Sequence, residues 1–177
     1  LRIKEQGEKC FIEYFEKLTN KRNGSNHSSW FSALRYLKTF TNGNLKFADI
    51  NEMFFEEFKE HLLTTKSNKS SKKTLSQNSA VSYFNKIKAA LKQAYKDDIL
   101  QYDINAKIKP IKTTEVRRNR LTTEELNALI KTPCNNPLLK RAALFSALTG
   151  LRHVDIKKLY WSELEFIKGQ GYRINFD

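Results

Sequence analysis

The sequence predicts a mainly α protein, a bundle of four helices followed by a short α+β segment, and three observations predict it. Apolar residues recur at helical spacing in four stretches before Ala106. No convincing alternating strand interrupts those stretches, which argues for a compact all-α unit. Alternation appears only near the end, in Gly171-Tyr172-Arg173-Ile174-Asn175-Phe176, as a strand requires.

In the first stretch Cys10, Phe11, Tyr14, Phe15 and Leu18 recur at helical spacing, and the helix is expected to end near the polar run Asn20 to Asn26, where Gly24 supports the break. Ser28 or Ser29 supplies a cap for the second helix, which carries Trp30, Ala33, Leu34, Leu37 and Phe40 with Arg35 and Lys38 on its polar side. The turn Thr41-Asn42-Gly43-Asn44 closes it. Asn51 caps a third helix through Leu63, in which Phe55, Phe58 and Leu62 share a face. Thr64 to Thr74 is nearly all Ser, Thr, Lys and Asn and reads as a loop. The fourth helix has the clearest pattern, because Ala80, Phe84, Ile87, Leu91 and Ala94 form an almost unbroken stripe.

These helices make up a first domain at residues 1–109. From Lys107 to Arg120 the periodicity lapses while Pro110, Thr113, Thr114, Arg117, Arg118 and Arg120 accumulate, so residues 110–120 are expected to be an exposed basic linker. A second domain fills residues 121–177. Thr122 and Glu125 form a capping box ahead of Leu126 and Leu129. The next helix begins near Pro137, runs from Leu138 to Leu148, and ends where Gly150 permits a left-handed turn. A short helix then restarts from Arg152.

Of the 177 residues, 40% are apolar and 29% charged, enough hydrophobic material for packed cores and too much for a disordered chain. Lys and Arg outnumber Asp and Glu by 32 to 19, and a net charge of +13 on so small a protein calls for an anionic partner, nucleic acid first. No apolar stretch reaches the roughly 18 residues of a membrane span, and no signal-peptide pattern opens the chain. An intracellular protein is expected. Cys10 and Cys134 lie far apart without metal-ligand spacing, and His27, His61 and His153 are scattered. These residues read as structural, and no metal, disulfide or cofactor is expected.

The positive charge is concentrated. Between Glu60 and Asp97 there is no acidic residue, yet Lys66, Lys69, Lys72, Lys73, Lys86, Lys88, Lys92 and Lys96 all fall there. Residues 1–109 hold 20 basic and 12 acidic side chains, so this interval equals the first domain's whole excess. On the fourth helix Lys88, Lys92 and Lys96 recur every four residues, away from the apolar stripe, with Asn78 and Asn85 on their side. A solvated face is the bland explanation of such a stripe. The adjoining basic loop and the missing acids favour phosphate binding by Arg35, Lys72, Lys73, Lys86, Lys88 and Lys92, with Gln77, Asn78 and Asn85 placed to reach base edges.

The stretch Ala147-Leu148-Thr149-Gly150-Leu151-Arg152-His153-Val154-Asp155-Ile156 resembles the first catalytic-arginine motif of the tyrosine recombinase, or phage integrase, family. In that motif a helix ends at Thr-Gly, the chain turns, and the arginine two residues after Gly opens a helix with an acid three residues on. Arg152 and Asp155 occupy those positions. A lone Thr-Gly-Leu-Arg would more simply be a surface helix start, but further resemblances follow in the family's order. Ser76 through Leu100 resembles its last core-binding helix, Leu121-Thr122-Thr123-Glu124-Glu125-Leu126 the opening of its catalytic domain, and Leu159-Tyr160-Trp161-Ser162-Glu163-Leu164 the segment after the arginine helix.

The resemblance implies a SAM-like core-binding bundle followed by the opening of an α+β catalytic domain, clamped around double-stranded DNA. It implies a recombinase of a mobile element that works as a homotetramer on paired sites, in the cytoplasm on the bacterial nucleoid. The family's tyrosine attacks a phosphodiester and forms a 3′-phosphotyrosine link, with no metal or nucleotide consumed. Arg152 is the matching catalytic residue and Asp155 its support. The family's catalytic lysine, second arginine and nucleophile correspond to positions beyond Asp177, so this chain is expected to bind DNA as a monomer without cleaving it. The alternative reading is a non-enzymatic helical DNA-binding regulator, which explains the lysines equally well but not the Arg152 turn. An RNA-binding module is disfavoured by the lack of an RRM-like sheet or a GXXG clamp.

Overall fold

Helix α1 (Phe11–Asn20) starts where the chain leaves an extended residue, Cys10, which forms an antiparallel bridge with Lys46. Helix α2 (Gly24–Phe40) turns back against α1, and Asn51 caps α3 (Glu52–Thr64) by accepting a hydrogen bond from Phe54 N at 2.9 Å. A hairpin of β1 (Lys66–Ser67) and β2 (Ser70–Thr74) leads into α4 (Gln77–Lys96), capped by Ser76. After these come α5 (Thr123–Lys131), α6 (Pro137–Thr149), α7 (His153–Lys158) and an antiparallel hairpin of β3 (Leu164–Ile167) and β4 (Gly171–Ile174). The computed structural model describes residues 6–68, 70–115 and 119–175, with only the backbone of residue 71. The chain divides into two units, Leu1–Val116 and Arg117–Asp177.

The first unit is organised around α4, which packs against α1, α2 and α3. Its predicted stripe is the part that packs: Ala80, Phe84, Ile87, Leu91 and Ala94 are all fully buried. Phe84 meets Phe55 of α3 edge-on at 5.5 Å, and Phe15 of α1 stacks on Trp30 of α2 at 5.1 Å. The far end of α4 is tied to α1, since the Tyr14 hydroxyl donates to Asp97 at 2.7 Å. Burial, and then that hydrogen bond, raise the Tyr14 phenol well above its ordinary pKa, while the bonds from Tyr14 and Gln93 hold the Asp97 carboxyl low.

Three expectations are corrected. Helix α2 starts five residues before Trp30's polar approach would suggest: Asn23 stands at the N-cap, and Ser28 lies inside the helix with its hydroxyl donating to Gly24 O at 3.3 Å. The interior position is tolerated because that hydroxyl bonds back along the helix. The lysine-rich stretch is a hairpin, pairing Lys66 with Thr74 and Ser67 with Ser70, and Leu75 N closes onto Thr65 O at 2.9 Å. Lys107 onward is a strap in which Ile108 and Ile111 are buried in the core of the first unit, while Lys109, Pro110, Lys112, Thr113 and Thr114 are exposed. Lys69, Arg117, Arg118 and Phe176 lie outside the described residues.

In the second unit the capping box forms as the sequence predicts, Thr122 Oγ1 accepting from Glu125 N at 3.2 Å and Glu125 Oε2 from Thr122 N at 2.8 Å. Helix α6 has Pro137 in its first turn and ends at Gly150, whose φ of +73° is left-handed. Leu164–Ile167, not predicted as a strand, pairs with Gly171–Ile174. None of the described residues from 119 to 175 is buried, and Leu138, Leu148, Trp161 and Tyr172 stand at least 70% exposed.

Candidate nucleic-acid interface and arginine turn

In the first unit the predicted phosphate-binding residues do not all share one fate. Lys72, Lys73, Asn85 and Lys92 are exposed and Lys86 is half-buried. Among the described residues the ion pairs of this unit are Lys38 with Glu16, Lys46 with Glu8 and Lys59 with Glu56, and none of them draws on those lysines or on Arg35. The face of α4 carrying Lys86 turns toward α2, because Ser79 and Tyr83, seven and three residues earlier, line a cleft shared with α2. Arg35 and Lys73 line that cleft too.

Gln77, Asn78 and Lys88 form hydrogen bonds within the chain. Gln77 donates to Lys112 O at 2.7 Å and accepts from the Thr114 hydroxyl at 2.6 Å. Asn78 donates to Thr114 O and accepts from Thr114 N, both at 3.2 Å, while Lys88 Nζ donates to Ile108 O at 3.2 Å. These side chains, assigned from sequence to phosphates and base edges, clasp the strap onto α4. Replacing Gln77 and Asn78 together by Ala should speed amide exchange of Thr114 by about tenfold, the loss of one or two modest hydrogen bonds. Unchanged protection at Thr114 in exchange measurements would mean that the clasp does not form in solution.

Other polar residues of the first unit are structural. Arg22 lies over the Trp30 ring at 3.4 Å from its centre and donates to Leu18 O. His61 packs on Phe40 at 5.0 Å, and burial keeps its imidazole below the ordinary pKa, so it stays neutral near neutral pH. His27 stacks on Phe31 at 6.0 Å.

In the second unit the chain leaves α6 through Gly150 and Leu151, and Arg152 stands as the extended N-cap residue of α7. Ser146 Oγ donates to Leu151 O at 2.7 Å and Leu151 N donates to Thr149 Oγ1 at 3.3 Å, bracing the turn from both sides. Arg152 Nε reaches Asp155 Oδ2 at 3.4 Å, and its side chain is 85% exposed. Asp155 meets the guanidinium at Nε, and no other hydrogen bond of the Arg152 side chain is seen among the described residues. His153 opens α7, and Lys168 lies in the turn between β3 and β4.

A helical unit closed on its own core, with a long last helix and a hairpin before it, defines the class of small helical domains to which SAM-like folds belong. The family model of the phage integrase SAM-like domain matches residues 10–109, more than half of the chain. The chain belongs to this family, the core-binding region of tyrosine recombinases. No curated protein and no solved structure matches it. Among the described residues no helix is long and apolar enough to cross a membrane.

Proposed function

We propose that the chain is the DNA-binding part and the opening of the catalytic part of a tyrosine-type site-specific recombinase serving a mobile genetic element. The intact enzyme breaks and rejoins duplex DNA through a 3′-phosphotyrosine link and acts as a tetramer on paired sites. The hairpin and the exposed face of α4 grip the duplex, with Lys72, Lys86 and Lys92 neutralising phosphates and Asn85 nearest the bases. Arg152 contacts the scissile phosphate and Asp155 orients it. The observation that carries this reading is the Gly150 turn presenting an exposed, carboxylate-braced Arg152 in a chain whose helical unit belongs to the integrase family.

A guanidinium is suited to that role because its planar fork matches two phosphate oxygens at once. Lysines release condensed counterions when they neutralise phosphates, so affinity falls with salt in proportion to their number. Replacing Lys72, Lys86 and Lys92 by Ala should therefore flatten the dependence of log affinity on log salt by roughly two to three units. The measurement is duplex binding by the full chain over a salt series. A slope identical to the parent's would remove this face from the interface.

A further inference from the structure

We propose that the cleft between α2, the β1–β2 hairpin and the start of α4 is a phosphate pocket that takes one phosphodiester of the nucleic-acid backbone, with Arg35 and Lys73 as its cations and Tyr36 positioning its roof. The proposal rests on the DNA-binding reading and deepens it by naming a built subsite. The cleft encloses about 360 Å³ and is lined by α2 on one side and by the hairpin with the adjoining start of α4 on the other.

Its chemistry is one-sided. Arg35 and Lys73 face it beside the hydroxyls of Ser70, Thr74 and Ser79, and no carboxylate lines it. A second cleft, under α3, shows the contrast: there Glu52 and Glu56 line the same wall as Lys107 and Lys109. The missing acids extend well beyond the cleft, since neither 17–48 nor 61–96 contains an Asp or Glu. Two cations at one cleft without a carboxylate repel each other until an anion enters. A phosphodiester supplies that charge and accepts the charge-assisted hydrogen bonds that guanidinium, ammonium and hydroxyl groups offer. Ser79 Oγ already accepts from Ser76 Oγ at 2.8 Å, which leaves its own hydrogen for a ligand.

The roof is held in register by Tyr36. Its ring is almost fully buried and stacks on Tyr83 of α4 at 5.3 Å, while its hydroxyl accepts from Asn68 N at 2.9 Å, in the turn of the hairpin. One residue therefore fixes the hairpin that carries Lys73 to the helix that carries Arg35.

The test uses the full chain, a duplex of unrelated sequence and inorganic phosphate. Arg35→Ala with Lys73→Ala should flatten the salt dependence of duplex binding by about two units, and Arg35→Lys should leave it near the parent's. Ser32 lines the cleft, but its hydroxyl is spent on Ser28 O. Ser32→Leu therefore fills the space without changing charge, and it should weaken duplex binding about tenfold at an unaltered thermal midpoint. Inorganic phosphate at constant ionic strength should shift the Asn68 and Ser79 amide resonances of the parent and not those of Ser32→Leu. A double variant with the parental slope, or a Ser32→Leu chain with parental affinity, overturns the pocket and leaves the DNA-binding reading standing. A parent that answers to inorganic phosphate yet binds no duplex overturns that reading and the backbone assignment together.

Discussion

In an enzyme that works as proposed, Arg152→Lys is expected to fold and to bind its DNA site as the parent does, while the rate of strand cleavage falls by about 10²–10³. The turn explains why the change stays local. Gly150 sets the chain direction with its left-handed backbone, and Ser146 and Thr149 brace Leu151, so the position of residue 152 does not depend on its side chain. What lysine loses is the fork. Arg152 meets Asp155 through Nε, and a guanidinium's planar fork can meet two phosphate oxygens, whereas an ammonium offers a single point of charge. Charge accumulates on those oxygens in the transition state, so the loss appears in rate more than in affinity. The assay is trapping of the covalent protein–DNA adduct on a nicked site by the whole enzyme. Adduct formation at the parental rate would reduce Arg152 to an ordinary helix start.

Phe84→Ala in the present chain should cost about 3–5 kcal/mol, the usual consequence of removing a buried phenyl ring. Phe84 is fully buried on the helix that the other three surround, and its ring meets Phe55 edge-on. The cavity would open at the crossing of α3 and α4, where neither backbone can close it without disturbing the strap that α4 also holds. Denaturant unfolding followed by helix content measures the change. A cost below about 1 kcal/mol would show that the site collapses around the smaller residue.

The sequence made the core of the first unit legible wherever periodicity was strong. The Ala80-to-Ala94 stripe, the Asn51 cap, the Thr122–Glu125 box and the Gly150 turn are each decided by residues within a few positions of one another. The start of α2 was not legible, because Gly24 to Ser29 contains no apolar residue and the helical period first shows at Trp30. Nor was the hairpin, whose strands are polar on both faces and so carry no alternation. The strap escaped for a different reason: Ile108 and Ile111 sit in an extended segment without a period, and the strap's amide partners on α4 lie 35 and 36 residues earlier in the chain. The same distance hid the fate of Gln77, Asn78 and Lys88. As for the basic face, the sequence located its lysines, but whether a lysine faces solvent or a backbone carbonyl is settled by tertiary packing.

The strap also decides how much of this chain can be transplanted as a working module. A graft ended at Lys109, where the last regular element is past, would leave out Ile111, which is buried, and would strand the amides of Gln77 and Asn78 without the backbone they hold. Ended after Thr114, the same piece carries its own seal. The interchangeable unit is set by the last side chain that α4 grips, so chimeras between relatives should be spliced there and not at the end of the helices.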